Sequence, residues 1–333
     1  MTIGTAQPAP MTRRTRRDSE RRRWSVGNTV IALTVLAGVA TVLYPTAADW
    51  FSDRAHATEV SGYVSDTASA TGGELRSMLD AARDYNDALP NGPLRDPYTL
   101  NGDGTADSIE DGRDTYLSKL SFRKDSPMAR VRIPEIHVDL PIYHGTSEKS
   151  LDRGVGHLYG SDLPVGGSGT HAVLTGHSGI PSATLFTHLD ELEEGDTFYI
   201  DVAGETLEYE VDRITVVEPN SVDELRQVQD HDYVTLLTCT PTGVNTHRLL
   251  VRGERVETSA ADTVQSVGAN STDPGFPWWA IGLAGALGMS VFIAWPRRST
   301  PRPSAAEHGP VAPRTRRARR DGDSDGRPSS DRP

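Results

Sequence analysis

The sequence predicts an all-β domain, a barrel or a sandwich, held between two membrane-spanning helices. Seven short runs rich in β-branched residues follow Met128, separated by turns containing Gly and Pro. No alternation of helix and strand patterns accompanies them, which argues against a doubly wound sheet. Two long apolar runs, one near each end of the 333-residue chain, flank an acidic middle.

Residues 1–25 form a basic tail with Arg13, Arg14, Arg16, Arg17, Arg21, Arg22 and Arg23, and Trp24 at its boundary. The charge-free run 26–44, Val26 to Tyr44, is long enough to cross the hydrocarbon core at about 1.5 Å per residue. The positive-inside rule keeps its arginine-rich flank in the cytoplasm. A cleaved signal peptide is the alternative, with Ala55-His56-Ala57 as a small-residue cleavage site. Residues 45–127 form an N-terminal helical region. Within it, Leu75, Met78, Leu79, Ala82, Tyr85 and Leu89 follow helical spacing, so 73–89 reads as an amphipathic helix that Pro90 ends. A loop rich in Gly, Asp and Pro covers about 91–113.

Residues 128–257 form the β domain. Its expected strands are Ala129–Ile133, His137–Ile142, His171–Thr175, Thr197–Val202, Thr206–Glu218, Tyr233–Thr238 and Arg248–Val256. A small, polar linker, 258–277, leads to the second apolar run, 278–295, which has tryptophans at both ends as interfacial belts require. The tail 296–333 is rich in Pro, Ser, Arg and Asp and is expected to be disordered. Both basic tails therefore belong on the cytoplasmic side, with residues 46–277 outside the cell. The lipid bilayer is the first partner this layout implies.

Charge narrows function further. Each end carries +5 within a chain of −12, which leaves −22 for the middle. An acidic folded part excludes nucleic acid as its partner. The chain has one cysteine, so it has no internal disulfide, and that thiol is either buried filler or reactive.

Its neighbourhood favours reactivity. Tyr233-Val-Thr-Leu-Leu-Thr-Cys239 is a strand-like run, and Thr240, Pro241, Thr242 and Gly243 must turn immediately afterwards. A strand ending in a turn presents a nucleophile at a sheet rim. Nine residues on, Arg248 starts the next strand-like run. If the two strands pair, Cys239 and Arg248 lie at one end of the sheet, where a guanidinium favours the thiolate and neutralises developing negative charge. A cysteine nucleophile also needs a proton partner. His177, between Gly176 and Gly179 after another strand-like run, is the leading candidate, because glycines permit close backbone approach. His137, His188 and His231 lie in polar surroundings and read as solvated. Composition does not exclude His171 or His247, although His247 should face away from Arg248 on a strand.

The run Thr235-Leu-Leu-Thr-Cys239-Thr-Pro-Thr-Gly-Val-Asn-Thr-His-Arg248 resembles the signature of sortases, whose active-site strand ends in Thr-Leu-x-Thr-Cys with an arginine on the following strand. Leu174-Thr-Gly-His177 is similar to the sortase histidine motif. Arg132-Ile-Pro-Glu-Ile and Leu140-Pro-Ile-Tyr-His-Gly are similar to the family's first strands. The likeness runs from about Arg130 to Val256 and implies a closed eight-stranded barrel. The Cys239-Thr-Pro-x-Gly-x-Asn-Thr-His-Arg248 form most resembles the class C, pilin-polymerising sortases, which also carry a second C-terminal span. That class has a lid with an Asp-Pro-aromatic motif. Asp96-Pro97-Tyr98 resembles it, with Tyr where Trp or Phe is more usual.

The resemblance implies a cysteine transpeptidase acting on exported pilin or surface-protein precursors with an LPxTG-like sorting signal. Cys239 would form a thioacyl intermediate, His177 would move the amine protons, and Arg248 would hold the peptide and the oxyanion. Thr238 would help to shape the oxyanion site. The second amine would be a pilin lysine or, alternatively, a peptidoglycan amine. A cysteine protease that transfers to water and a non-catalytic binding protein are further alternatives. No cofactor is expected. Asn101-Gly-Asp-Gly-Thr-Ala-Asp-Ser-Ile-Glu110 resembles the later part of an EF-hand loop, but Thr99 stands at its first ligand position, so an ordinary turn without metal is expected.

Overall fold

The computed structural model describes residues 24–89, 112–219, 221, 223–257 and 274–296. The lid motif Asp96-Pro97-Tyr98 and the loop from Thr99 to Glu110 lie outside the described residues.

The first helix, α1, runs Val26–Ser69, well past the end of the apolar run at Tyr44. Ser25 caps it by accepting from the Asn28 N–H. Pro45 sits inside it without ending it. The distal half is helical because it has a face to bury: His56, Val60 and Tyr63, spaced four and three apart, are its buried residues there. This half is fastened along its length to the β domain and to the segment that leads into that domain. Glu59 pairs with Arg153 at 3.0 Å, the Ala203 N–H donates to the Tyr63 hydroxyl at 2.9 Å, and Asp66 accepts from Arg123 at 2.6 Å.

A capping box between Thr71 and Glu74 then starts α2, Gly72–Ala88. Leu79 and Ala82 of α2 join the core. The Asn86 side chain donates to the Leu163 carbonyl at 3.0 Å and accepts from the Leu163 N–H at 2.8 Å. A short helix, α3, Arg113–Leu117, buries Tyr116. The Tyr116 hydroxyl meets His157 Nδ1 at 2.9 Å and accepts from the Gly145 N–H at 3.0 Å.

The β domain is a closed eight-stranded barrel. Its strands are β1 Ala129–Ile133, β2 Val138–His144, β3 Val155–His157, β4 Thr170–Thr175, β5 Thr197–Val202, β6 Glu205–Val217, β7 Asp232–Thr240 and β8 His247–Val256. Around the barrel they follow the order β1-β2-β3-β4-β7-β8-β6-β5. The pairs β2/β3 and β4/β7 are parallel and the others antiparallel. A one-turn helix, α4, Glu148–Leu151, lies in the β2–β3 crossover. Seven strands coincide with the expected runs to within two residues, and β3 was not anticipated. His137 stays out of β2 because its φ of 55° closes the turn Pro134–Ile136. Alternate residues such as Val131, Ile133, Ile200, Val202, Leu236 and Val251 fill the barrel.

The last described helix, α5, Trp278–Ala294, packs antiparallel on the first half of α1. Ser290 Oγ donates to the Ala32 carbonyl at 3.1 Å, and Trp50 Nε1 donates to the Gly275 carbonyl at 3.0 Å. Among the described residues, α1 is the one helix long and apolar enough to cross a membrane, and α5 is a shorter apolar helix.

Candidate active site

The site begins with the alternation of β7. Leu236 points into the barrel core, while Leu237 joins a second apolar cluster with Leu158, Val173, Leu225 and Leu250 on the outer face. With a period of two, Cys239 shares the face of Leu237 and Arg248 shares that of Leu250. The antiparallel register pairs Cys239 with Arg248 directly. Both are nearly buried, at 8% and 7% exposure. Arg248 Nη1 donates to the carbonyls of Asn245 at 3.2 Å and His247 at 3.1 Å, which folds the guanidinium back over the β7–β8 turn. That turn includes the cis peptide Thr240–Pro241.

His177 reaches the same end through the parallel pairing of β4 with β7. Thr175 is in register with Leu237, so the next two steps along each strand lead to His177 and Cys239. Two hydrogen bonds continue the stitching past the strand end. The Gly176 N–H donates to the Leu237 carbonyl at 3.1 Å, and the buried Thr238 hydroxyl donates to the Gly176 carbonyl at 2.7 Å. Thr238, on the opposite strand face from Cys239, thus holds the loop of His177 to the strand of Cys239.

The glycines around His177 have specific neighbours. A Cβ on Gly176 would stand 2.7 Å from the Phe186 ring, and the Phe186 N–H donates to the His177 carbonyl at 3.0 Å. Gly179, at φ +69°, lies against the turn after Cys239, where a Cβ would stand 2.5 Å from Thr242 Cγ2. Ser178 and Thr242 hydroxyls meet at 3.2 Å, and the Gly179 N–H donates to Thr187 Oγ1 at 3.0 Å. The spacing of His177 between two glycines signalled a close approach; Phe186, Thr187 and Thr242, its partners in that approach, carried no signal of their own.

Partial burial lowers the pKa of His177 below the usual histidine value, and the carboxylates of Asp152 and Glu148 oppose that shift. Its imidazole is therefore biased to the neutral form.

The other histidines separate cleanly. His137 and His188 are exposed. His231 is half-buried rather than solvated, because it stacks on Tyr233 with ring centres 5.1 Å apart and bonds Glu254 at 2.8 Å. His171 is buried between the Arg226 carbonyl at 2.9 Å and Thr235 Oγ1 at 2.7 Å, away from Cys239. His247 is exposed beside Thr246. His157, which drew no comment in the sequence, is fully buried against Tyr116.

Comparison with known proteins adds to this geometry. The family model for the sortase domain matches residues 131–256. The sortase A of Bacillus anthracis is 31% identical over 146 residues, which cover 43% of this chain and 67% of that protein. The crystal structure of sortase C-1 from Actinomyces oris is 47% identical, with a TM-score of 0.53; the match covers 56% of this chain and 99% of that one. A lid mutant of sortase A from Corynebacterium diphtheriae is 44% identical, with a TM-score of 0.53, covering 58% of this chain and 98% of that one.

Proposed function

This chain belongs to the sortase family of cysteine transpeptidases, and we propose that Cys239, His177 and Arg248 are its catalytic residues in a class C, pilin-polymerising member. The observation that carries this reading is the convergence of the three at one barrel rim. Cys239 and Arg248 are cross-strand partners, and His177 sits at the end of the strand paired on the other side of β7.

Sortases act on surface proteins with LPxTG-type signals at the membrane. In the proposed reaction, Cys239 passes its thiol proton to His177, and the thiolate attacks the threonine carbonyl of such a signal. Arg248 supplies charge-assisted donors to the oxyanion. His177 protonates the departing glycine amine, leaving a thioacyl bond to Cys239. An incoming amine gives its proton to His177, attacks the thioester carbonyl and releases the Cys239 thiolate. The bias of His177 towards the neutral form suits the second step. Thr238 acts as a positioning residue through the Gly176 carbonyl.

Three features favour a pilin lysine over a peptidoglycan amine as the acceptor. One is the Cys239-to-Arg248 motif. Another is the apolar helix α5, read as a second span whose arginine-rich flank, like that of α1, lies in the cytoplasm. The third is Asp96-Pro97-Tyr98, read as a lid over the cysteine; a lid has been mutated in the similar Corynebacterium diphtheriae enzyme. On this layout the catalytic barrel is extracellular and both chain ends are cytoplasmic.

Intact-mass spectrometry of the full chain in detergent, mixed with an LPxTG peptide, tests the reading. The expected product is an adduct that lacks the glycine-side fragment, is absent from Cys239→Ala and forms faster in Asp96→Ala. An adduct that persists in Cys239→Ala refutes the nucleophile assignment. Equal rates with and without the Asp96 substitution refute the lid.

A further inference from the structure

We infer that the barrel stands on the membrane with its catalytic rim towards the lipid, so that the bilayer surface borders the approach to Cys239. This rests on reading α1 as a membrane span, and goes beyond it by fixing which end of the barrel meets the bilayer.

The outer membrane interface can be located on α1. Its charge-free run ends at Tyr44, which is exposed. Just beyond, Trp50 and Phe51 cluster with Trp279 of α5, at ring separations of 5.1, 6.1 and 5.6 Å, while Phe51, Phe276 and Trp278 stay exposed. Exposed Trp24 and Trp295 mark the other end of the hairpin. Such aromatic girdles sit at headgroup level. Trp24, just before the Ser25 cap of α1, and Trp50 are 26 positions apart, about 39 Å at about 1.5 Å per residue, which matches a bilayer of about 40–45 Å with its headgroups.

The catalytic rim meets α1 at this belt. Thr184 Oγ1 donates to Asp49 at 2.7 Å, one residue from Trp50. Thr184 belongs to the loop that follows His177 and is tied to it through the Phe186-to-His177 backbone bond. The opposite rim meets α1 much further out. Tyr63 takes the N–H of Ala203 in the β5–β6 turn, and Asp66 takes Arg123. These anchors lie 14 and 17 residues beyond Asp49, about 21 to 26 Å along an unbroken helix. The barrel therefore extends outward from the membrane along α1, with α2 at its far end.

The charge of the rim bears on how closely it sits. Asp190, Glu191, Glu193 and Glu194 are exposed on the same loop. Against anionic headgroups these carboxylates resist close contact. A water-filled gap then remains between rim and lipid, open to an extended peptide arriving along the membrane surface. A donor held by its own apolar segment needs no excursion into bulk solvent to reach Cys239.

The test places one thiol at each end of the barrel in the full chain with Cys239→Ala. Ser182→Cys marks the catalytic rim and Ser77→Cys marks α2; both serines are exposed. Each variant carries a thiol-reactive fluorophore and is reconstituted into vesicles of phosphatidylglycerol and phosphatidylethanolamine with headgroup-nitroxide lipid, after flotation establishes membrane association. The expected result is loss of most of the fluorescence at position 182 and little loss at 77. Equal quenching, or stronger quenching at 77, in protein that floats overturns the orientation while leaving the anchoring intact. Failure to float overturns both.

Discussion

Thr238 and Arg248 show how single side chains separate fold from chemistry. Thr238 packs towards the barrel, yet its hydroxyl ends on the carbonyl of the residue before His177. Thr238→Val keeps the volume and removes the donor, leaving a buried carbonyl short of a partner at a cost of about 1–2 kcal/mol. We expect kcat/KM for an LPxTG peptide to fall by about tenfold, the scale of a modest misplacement, and Thr238→Ser to recover it. An unchanged kcat/KM in the valine variant would reduce Thr238 to packing. At Arg248, a lysine keeps the charge but loses the planar fork that bonds the Asn245 and His247 carbonyls while serving the site. Arg248→Lys should lower kcat/KM by about 100-fold or more, the range for losing one oxyanion donor. Its thermal midpoint should stay within a few degrees of the parent in the same preparation.

At the scale of elements, the site depends on two loops that pack through glycine. Gly179 occupies a left-handed conformation against Thr242. Gly179→Ala adds backbone strain and a methyl group where Thr242 already stands, so the histidine loop must move away from the turn after Cys239. A displacement near 1 Å costs about 100-fold in rate. Steady-state kinetics beside circular dichroism checks this, and full activity with an unaltered spectrum would contradict it. These contacts also mark the limit of what was legible in the sequence. The long strands were legible because β-branched residues recur at period two between turns. The three-residue β3 was not, since Val-Gly-His offers no period and Gly156 is there because a Cβ would stand 2.5 Å from the Gly145 carbonyl. Within the helical region expected from residue 45, the unbroken continuation of α1 to Ser69 carried no mark of its own, because its buried stripe places Val60 between His56 and Tyr63 rather than in an aliphatic run. Cys239, Arg248 and His177 stood out through turn chemistry and flanking glycines. Asn86 and Asp49, whose partners lie 77 and 135 positions away, had no local pattern to reveal them.

For the whole molecule, the buried histidines predict a fold that weakens on acidification. Burial pushes His157 and His171 down to about 4 from an ordinary 6.5. Burial keeps both rings neutral against the Asp162 and Arg226 carbonyls, which oppose the shift; His157 also meets Tyr116 and His171 meets Thr235. Between those two pKa values the unfolded chain binds more protons than the folded one, so stability falls as pH drops through 6.5 and continues to fall to about 4. Each histidine contributes about 1.4 kcal/mol per pH unit in that window. Asp53, which burial raises to about 6, acts in the opposite sense, as do Asp162 and Asp232, which burial also raises, because their protonation favours the folded state as pH falls. The histidines act first on descent from neutral pH, so urea midpoints measured at pH 7.5, 6.0 and 5.0 should decline. Burial also lowers His56 to about 4 and lowers His144, so they act in the same sense, and His171→Gln removes one of these titrations. Its midpoint at pH 7.5 should be lower than the parent's, since Thr235 loses its ring partner, but its decline between pH 7.5 and 5.0 should be shallower. Parallel declines in parent and variant would mean that His171 does not couple folding to protons, and that acid sensitivity resides with the other buried histidines, His56, His144 and His157.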